Sequence, residues 1–221
     1  ANKNETNLDV IKRILIIFAK KHPAIKYVQG LNEVLALIYY CFAQDANPYF
    51  YLELEGDVYF CFENLMNQVG DMYISEKDFT ETGIKSHINY LIYLLEQIDY
   101  ELYANLYHLN VDITVFTFRW YTVFFTQEFS IDASMRLMDY ILIQPNRFQY
   151  LNVLCLAALK IKRQELLKKD YSDIMNSLQT FSDDDVLLMI SKTVDIERDL
   201  NNNQSKIDFV SFVHSNKNVP Y

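Results

Sequence analysis

In Tyr27-Val28-Gln29-Gly30-Leu31-Asn32-Glu33 the first four residues are a short connector between two apolar helical stretches, and the reading of this segment decides the fold. On its N-terminal side Leu8, Ile11, Leu15 and Phe18 fall at i, i+3, i+7 and i+10, the spacing of one helix face. Asp9 near the start of that stretch and Lys20 and Lys21 at its end each suit the helix dipole, and Pro23 stops it. On the other side a largely apolar helix runs over 31–42 towards the turn signal Asn47-Pro48. By residue chemistry alone, Gly30 is the left-handed residue that turns the chain and Gln29 is a solvated amide beside it.

The same helical period continues to the C-terminal side. Helices are predicted over 57–70 and 84–97, the latter placing Ile88, Leu91, Ile92, Leu95 and Ile98 on one stripe. A helix over 112–127 has Phe116, Trp120 and Phe124 in register, and Ser130 or Asp132 caps the next, 132–143, which Pro145 terminates. A long helix with a basic end is predicted over 147–168, followed by helices at 171–180 and 183–199, the last opening on Ser182-Asp183-Asp184-Asp185. Residues 1–7 read as a frayed terminus, 8–200 as one domain, and 201–221 as a polar linker and a tail of unassigned structure. With no strand alternation and no repeat, the fold class is all-α.

Composition agrees. Four Gly and four Pro in 221 residues lie far below average usage of roughly 12%, against turn-rich β designs, although an AT-rich coding sequence would also lower them. With 51% apolar and 15% aromatic residues the chain can bury a sizeable core. Its formal charge of −9 repels phosphate backbones and anionic membrane surfaces, so no nucleic acid partner is expected. No apolar run reaches the length of a membrane span. Cys41, Cys61 and Cys155 are far apart in apolar stretches, which predicts buried, reduced thiols and no metal site.

The residues offer no enzyme site of their own. There is no Gly-rich phosphate loop, no HExxH and no nucleophile elbow, and His22, His87, His108 and His214 have no spaced partners. Arg119, inside Phe116-Thr117-Phe118-Arg119-Trp120-Tyr121, needs an ion-pair partner, for which Glu128 and Asp139 are the candidates.

A set of ordered motifs goes further. Tyr27-Val28-Gln29-Gly30-Leu31-Asn32-Glu33 resembles the glutamine-finger motif of TBC-domain proteins, the activators of Rab-type small GTPases. Upstream, Ile11-Lys12-Arg13-Ile14-Leu15 and Lys21-His22-Pro23 resemble the family's preceding helix. Downstream, Phe118-Arg119-Trp120, Gln127-Glu128-Phe129 and Leu137-Met138-Asp139 resemble its R-W, E-F and W-D signatures in the same order. Phe60-Cys61-Phe62-Glu63-Asn64-Leu65-Met66 and Asn146-Arg147-Phe148 extend the likeness over about residues 8–199. Gln127 stands where many relatives have Arg, and Met138 replaces the usual Trp.

The resemblance implies a multi-helix TBC fold that acts on a Rab in its GTP-bound state, with Gln29 as the catalytic residue inserted in trans to hold the hydrolytic water. Tyr27, Gly30, Asn32 and Glu33 would support the loop or touch the partner, Gly30 by letting the Rab backbone approach. Arg119, Trp120, Glu128, Phe129 and Asp139 would be structural. No cofactor is implied, since GTP and magnesium belong to the GTPase, and the place of work would be the cytoplasm, at membranes through a lipidated partner. The family's arginine finger, in an I-x-x-D-x-x-R motif, is absent from residues 1–28, and Arg13 matches the structural helix instead. The chain is therefore expected to be a truncated module, weak or inactive alone. The alternative is a TBC fold that grips a Rab or another partner without catalysis.

Overall fold

The structure is a computed structural model that describes residues 6–25, 28–44, 53–202 and 208–215. Twelve α-helices occur among them: α1 Asn7–Lys21, α2 Leu31–Ala43, α3 Leu54–Val69, α4 Ile84–Ile98, α5 Tyr100–His108, α6 Thr114–Val123, α7 Ile131–Leu142, α8 Arg147–Ile161, α9 Arg163–Leu166, α10 Tyr171–Ser177, α11 Asp185–Asn202 and α12 Phe209–Ser215. Two 3-10 turns, Gly70–Tyr73 and Ser75–Lys77, join α3 to α4. No strand occurs among the described residues.

The helix α8 is the axis of the fold. Every residue from Leu151 to Leu159 is buried, so the segment is enclosed all round rather than on one stripe, with Asn152 as its one polar side chain. Its broadest contact is with α11, and α4, α6 and α7 close the remaining sides. A second group forms where α2 packs on α3 with α1 across both, and α2 reaches α6 and α7 to join the groups into one core.

Helix ends follow local chemistry. Thr6 and Asp9 close a reciprocal capping box on α1, the Thr6 amide donating to Asp9 Oδ2 at 3.0 Å, so Thr6 and Asn7 are ordered parts of a helix start rather than a frayed end. Residues 1–5 of the expected frayed terminus lie outside the described residues. Ser130 caps α7 as expected, its Oγ accepting from the Ala133 amide at 3.3 Å. Asn146 caps α8 and Asp170 caps α10 in the same way.

Three helix assignments need correction. The helix expected over 112–127 ends at Val123, because Phe124 (φ 51°) and Phe125 (φ 61°) adopt left-handed conformations. Each conformation costs on the order of 1–3 kcal/mol, offset by complete burial of both rings in the core. The helix expected over 147–168 breaks at Lys162. Its basic end is drawn to carboxylates on other helices, Lys160 and Arg163 to Asp99 at 2.8 and 2.7 Å and Lys162 to Asp185 at 3.7 Å. An unforeseen α5 follows α4 after one residue, Asp99, whose side chain accepts from the Leu102 amide.

The cysteines differ as well. Cys155 is buried, but Cys41 and Cys61 are exposed and line a groove between α2, α3 and α7. The tail, left unassigned, forms α12, which docks on α4: Phe209 stacks on His87 at 4.3 Å and Phe212 lies 5.3 Å from Tyr90.

Candidate functional site

The connector is held at its entry by the end of α1. Glu63 on α3 accepts from His22 Nε2 at 2.9 Å, Lys21 Nζ at 3.3 Å and the Tyr59 hydroxyl at 2.5 Å. Those contacts, the Tyr59 bond foremost and His22 next, pull the Glu63 carboxyl down to about 2. Phe18 stacks on His22 at 4.5 Å, so the last turn of α1 is fixed just before Pro23. Ile25 then packs against Gly70, where a Cβ would stand 2.6 Å from Ile25 Cδ1.

Val28, Gln29 and Gly30 form a tight turn into α2. The Val28 carbonyl accepts from the Leu31 amide at 3.1 Å, and the Gly30 carbonyl accepts from Glu33 at 2.9 Å. Gly30 has φ 111°, as expected of a left-handed turn residue, and is itself buried. The direction of its missing side chain differs from expectation. A Cβ there would stand 2.3 Å from Val123 Cγ1, so the space belongs to this chain's own α6 and not to an approaching backbone. The Gly30 amide donates to Asn32 Oδ1 at 3.3 Å, and Asn32 Nδ2 donates to Glu33 Oε1 at 3.0 Å. Asn32 thus reaches back to the residue before the helix, while Glu33 contributes its charge to the first turn. Gln29 alone points outward: it is exposed and forms no side-chain hydrogen bond among the described residues. Tyr27 lies outside the described residues.

The signature residues lie behind this turn. Arg119 pairs with Glu128, Nε at 2.7 Å and Nη2 at 2.6 Å from the same oxygen, which settles the choice of partner against Asp139. Burial pushes the Glu128 carboxyl up despite the opposing pull of Arg119. Trp120 is fully buried, 4.9 Å from Phe116 and 5.0 Å from Phe125, and Phe129 lies 5.7 Å from Phe181. Asp139 lines a groove between α2, α3 and α7 instead of pairing with Arg119. Arg119 and Trp120 reach across to Glu128 and Phe125 and so tie α6 to the turn at 124–128, strained at Phe124 and Phe125, and Val123 before it is the seat of Gly30.

Val123 was not singled out from the sequence, and nothing local marks it, since its contact lies ninety-odd residues away along the chain. Gln127 is exposed and reaches the turn, its Nε2 3.9 Å from the position of a Gly30 Cβ. Among the described residues no group of three or more His, Cys, Asp or Glu could hold a metal ion, and no helix is long and apolar enough to cross a membrane.

The Rab-GTPase-TBC domain model matches residues 1–167. The chain belongs to the Rab-GTPase-TBC domain family. It is 36% identical over 196 residues to human TBC1 domain family member 13, covering 89% of this chain and 49% of that protein. It is 28% identical over 211 residues to the GTPase-activating protein gyp1 of Schizosaccharomyces pombe, covering 86% of this chain and 40% of that protein. This TBC chain thus spans about half the length, or less, of the curated relatives it matches. Its fold is that of the crystal structure of the Ypt/Rab-GAP domain of Gyp1p, with a TM-score of 0.74 at 23% identity over 86% of this chain and 66% of that one.

Proposed function

We propose that this chain is the glutamine-finger part of a GTPase-activating module for a Rab-type small GTPase in its GTP-bound state. Gln29 enters the GTPase site in trans, its carbonyl accepting from the attacking water and its amide donating to the GTPase. A Rab hydrolyses GTP slowly because the water is poorly held and the charge developing on the transferred phosphoryl group is poorly stabilised. A positioned amide addresses the first defect, since it offers a donor and an acceptor without charge.

The observation that carries this reading is the contrast within the connector. The backbone of Gly30 is seated against Val123 while the side chain of Gln29 is exposed and uncommitted. The relative named as a GTPase-activating protein supports it. Asn32 and Glu33 brace the turn, and the site of work is the cytoplasmic face of the membranes that carry the lipidated partner, in vesicle trafficking.

The second defect calls for an arginine, and residues 1–28 contain only Arg13, which is tied to Glu55 on α3 at 2.5 and 2.8 Å. An arginine finger contributes roughly 10³–10⁵ in rate, about 4–7 kcal/mol of barrier. The chain alone is therefore weak on Rab·GTP, and near-complete activity from it would overturn that division of labour. In the full-length protein Gln29→Ala lowers activation by orders of magnitude at unchanged thermal stability. Unchanged single-turnover hydrolysis in that variant would remove Gln29 from the chemistry and favour the second reading, a TBC module that grips its partner without catalysis.

A further inference from the structure

Directly after α6 the backbone takes two consecutive left-handed residues, Phe124 at φ 51° and Phe125 at φ 61°. Such conformations are costly for residues other than glycine and persist only where the surroundings over-determine them. Both rings are fully buried, which holds the bend in place. The bend turns the chain back towards the start of α2, so that Gln127 Nε2 lies 3.9 Å from the position of a Gly30 Cβ. The residues on both sides of Gln127 are fixed. The Thr126 amide donates to the Val123 carbonyl and the Glu128 amide to the Phe125 carbonyl, both at 2.9 Å, and the Glu128 carboxylate holds Arg119.

Gln127 is the one exposed residue between Tyr121 and Glu128, and it forms no hydrogen bond or ion pair among the described residues. It therefore shares with Gln29 an uncommitted amide on a backbone that is already ordered. With consecutive Cα atoms about 3.8 Å apart, the Gln127 amide nitrogen lies within roughly 9 Å of the Gln29 Cα. A standard interface covers roughly 800 Å² on each partner, a patch about 30 Å across. A partner that takes in Gln29 therefore covers Gln127 as well, and covering that amide without hydrogen bonding it would weaken the complex.

We infer that Gln127 is a second contact residue for the partner GTPase, hydrogen bonding its surface beside the inserted Gln29. The assignment rests on the proposed function, because the partner that covers Gln127 is the one that receives Gln29. An amide offers two donors and one acceptor without charge, so it meets a neutral polar group, such as a peptide group, and leaves no ion uncompensated. Gln127 acts on affinity, while Gln29 acts on the chemistry.

The test uses the full-length protein against a panel of GTP-loaded Rab proteins, followed by Gln127→Met and Gln127→Ala on a Rab that it stimulates. Gln127→Met keeps the length of the side chain and its cover over Gly30 while removing the amide, and Gln127→Ala removes both. Each variant raises KM about three- to tenfold at unchanged kcat, as expected for losing hydrogen bonds made equally in the ground and transition states. Thermal stability stays at the wild-type value, since the side chain is exposed and bonds nothing within the chain. A KM within twofold of wild type in both variants, with Gln29→Ala still inactive, overturns the contact and leaves the proposed function standing. A loss in Gln127→Ala that is absent from Gln127→Met also overturns it, because the residue would then serve only as cover for Gly30. Failure to stimulate any Rab overturns both the contact and the proposed function.

Discussion

Gly30→Ala tests the seating of the turn before α2 directly. The substitution adds a methyl where φ is 111°, a conformation costing an L-residue roughly 1–2 kcal/mol, and places it 2.3 Å from Val123 Cγ1. Relieving such an overlap forces a side-chain or backbone shift of about 1–3 kcal/mol, so the total is about 2–5 kcal/mol. Val123 is buried at the end of a helix whose next two residues are already strained, which limits how far it can yield. Urea denaturation of wild type, Gly30→Ala, Val123→Ala and the double variant measures the cycle. The overlap portion disappears in the double variant, giving a coupling of about 1–3 kcal/mol that makes it more stable than the sum of the singles. The backbone portion remains, so the double variant stays below Val123→Ala. Strict additivity would refute the contact, and a Gly30→Ala protein as stable as wild type would refute the conformation as well.

Two further predictions concern groups away from this turn. His87 is buried, its pKa is held down to about 4 by burial, and Asn152 donates to its Nδ1 at 3.2 Å because the other end of that amide accepts from Tyr121. A depressed histidine stabilises fully above the unfolded pKa near 6.5 and loses that contribution as pH falls, so stability drops by about 2 kcal/mol between pH 7 and pH 5. Chemical denaturation at the two pH values measures it, and a flat profile in wild type, matching that of a foldable His87→Asn variant, would remove the assignment. For the thiols, a maleimide labels Cys41 and Cys61 in the native protein and Cys155 only after unfolding. Cys61 is the slower of the two, because partial burial, Asp57 and Cys41 raise its thiol. Three native labels counted by mass spectrometry would contradict the burial of Cys155.

Legibility followed the locality of the forces. The helix at 84–97 was readable because one stripe of large aliphatic residues sets both its face and its length, and α4 runs Ile84–Ile98. The early end of α6 was not, because no Gly or Pro stands there, and the left-handed Phe124 and Phe125 are imposed by the burial of their rings. Likewise α5 hid behind a sparse pattern, with only Leu102 and Leu106 buried among tyrosines. At the site, Gln29 and Gly30 were readable as an amide and a turn residue in sequence order, and Arg119 as a cation needing a partner. Val123 was not, since it gains its meaning from its approach to Gly30, which no neighbouring residue announces.

The arrangement also explains how an exposed side chain can be positioned accurately. Ordering a free loop costs about 1–2 kcal/mol per residue, which a partner would have to supply on docking. Here residues 28–30 are held beforehand from two sides, since Asn32 holds the Gly30 amide and Val123 fills the space where a Gly30 side chain would be, while Glu63 clamps the end of α1. Only the Gln29 side chain remains to be fixed, roughly 0.5–1.5 kcal/mol. Being neutral, it can leave water without the desolvation cost of an ion. The Arg119–Glu128 pair, with its carboxylate buried, ties α6 to the end of the turn that follows Val123 and so bears on the seat of Gly30 without touching Gln29. A glutamine on an unsupported loop would present the same chemistry to its partner, but docking would then have to order the loop as well.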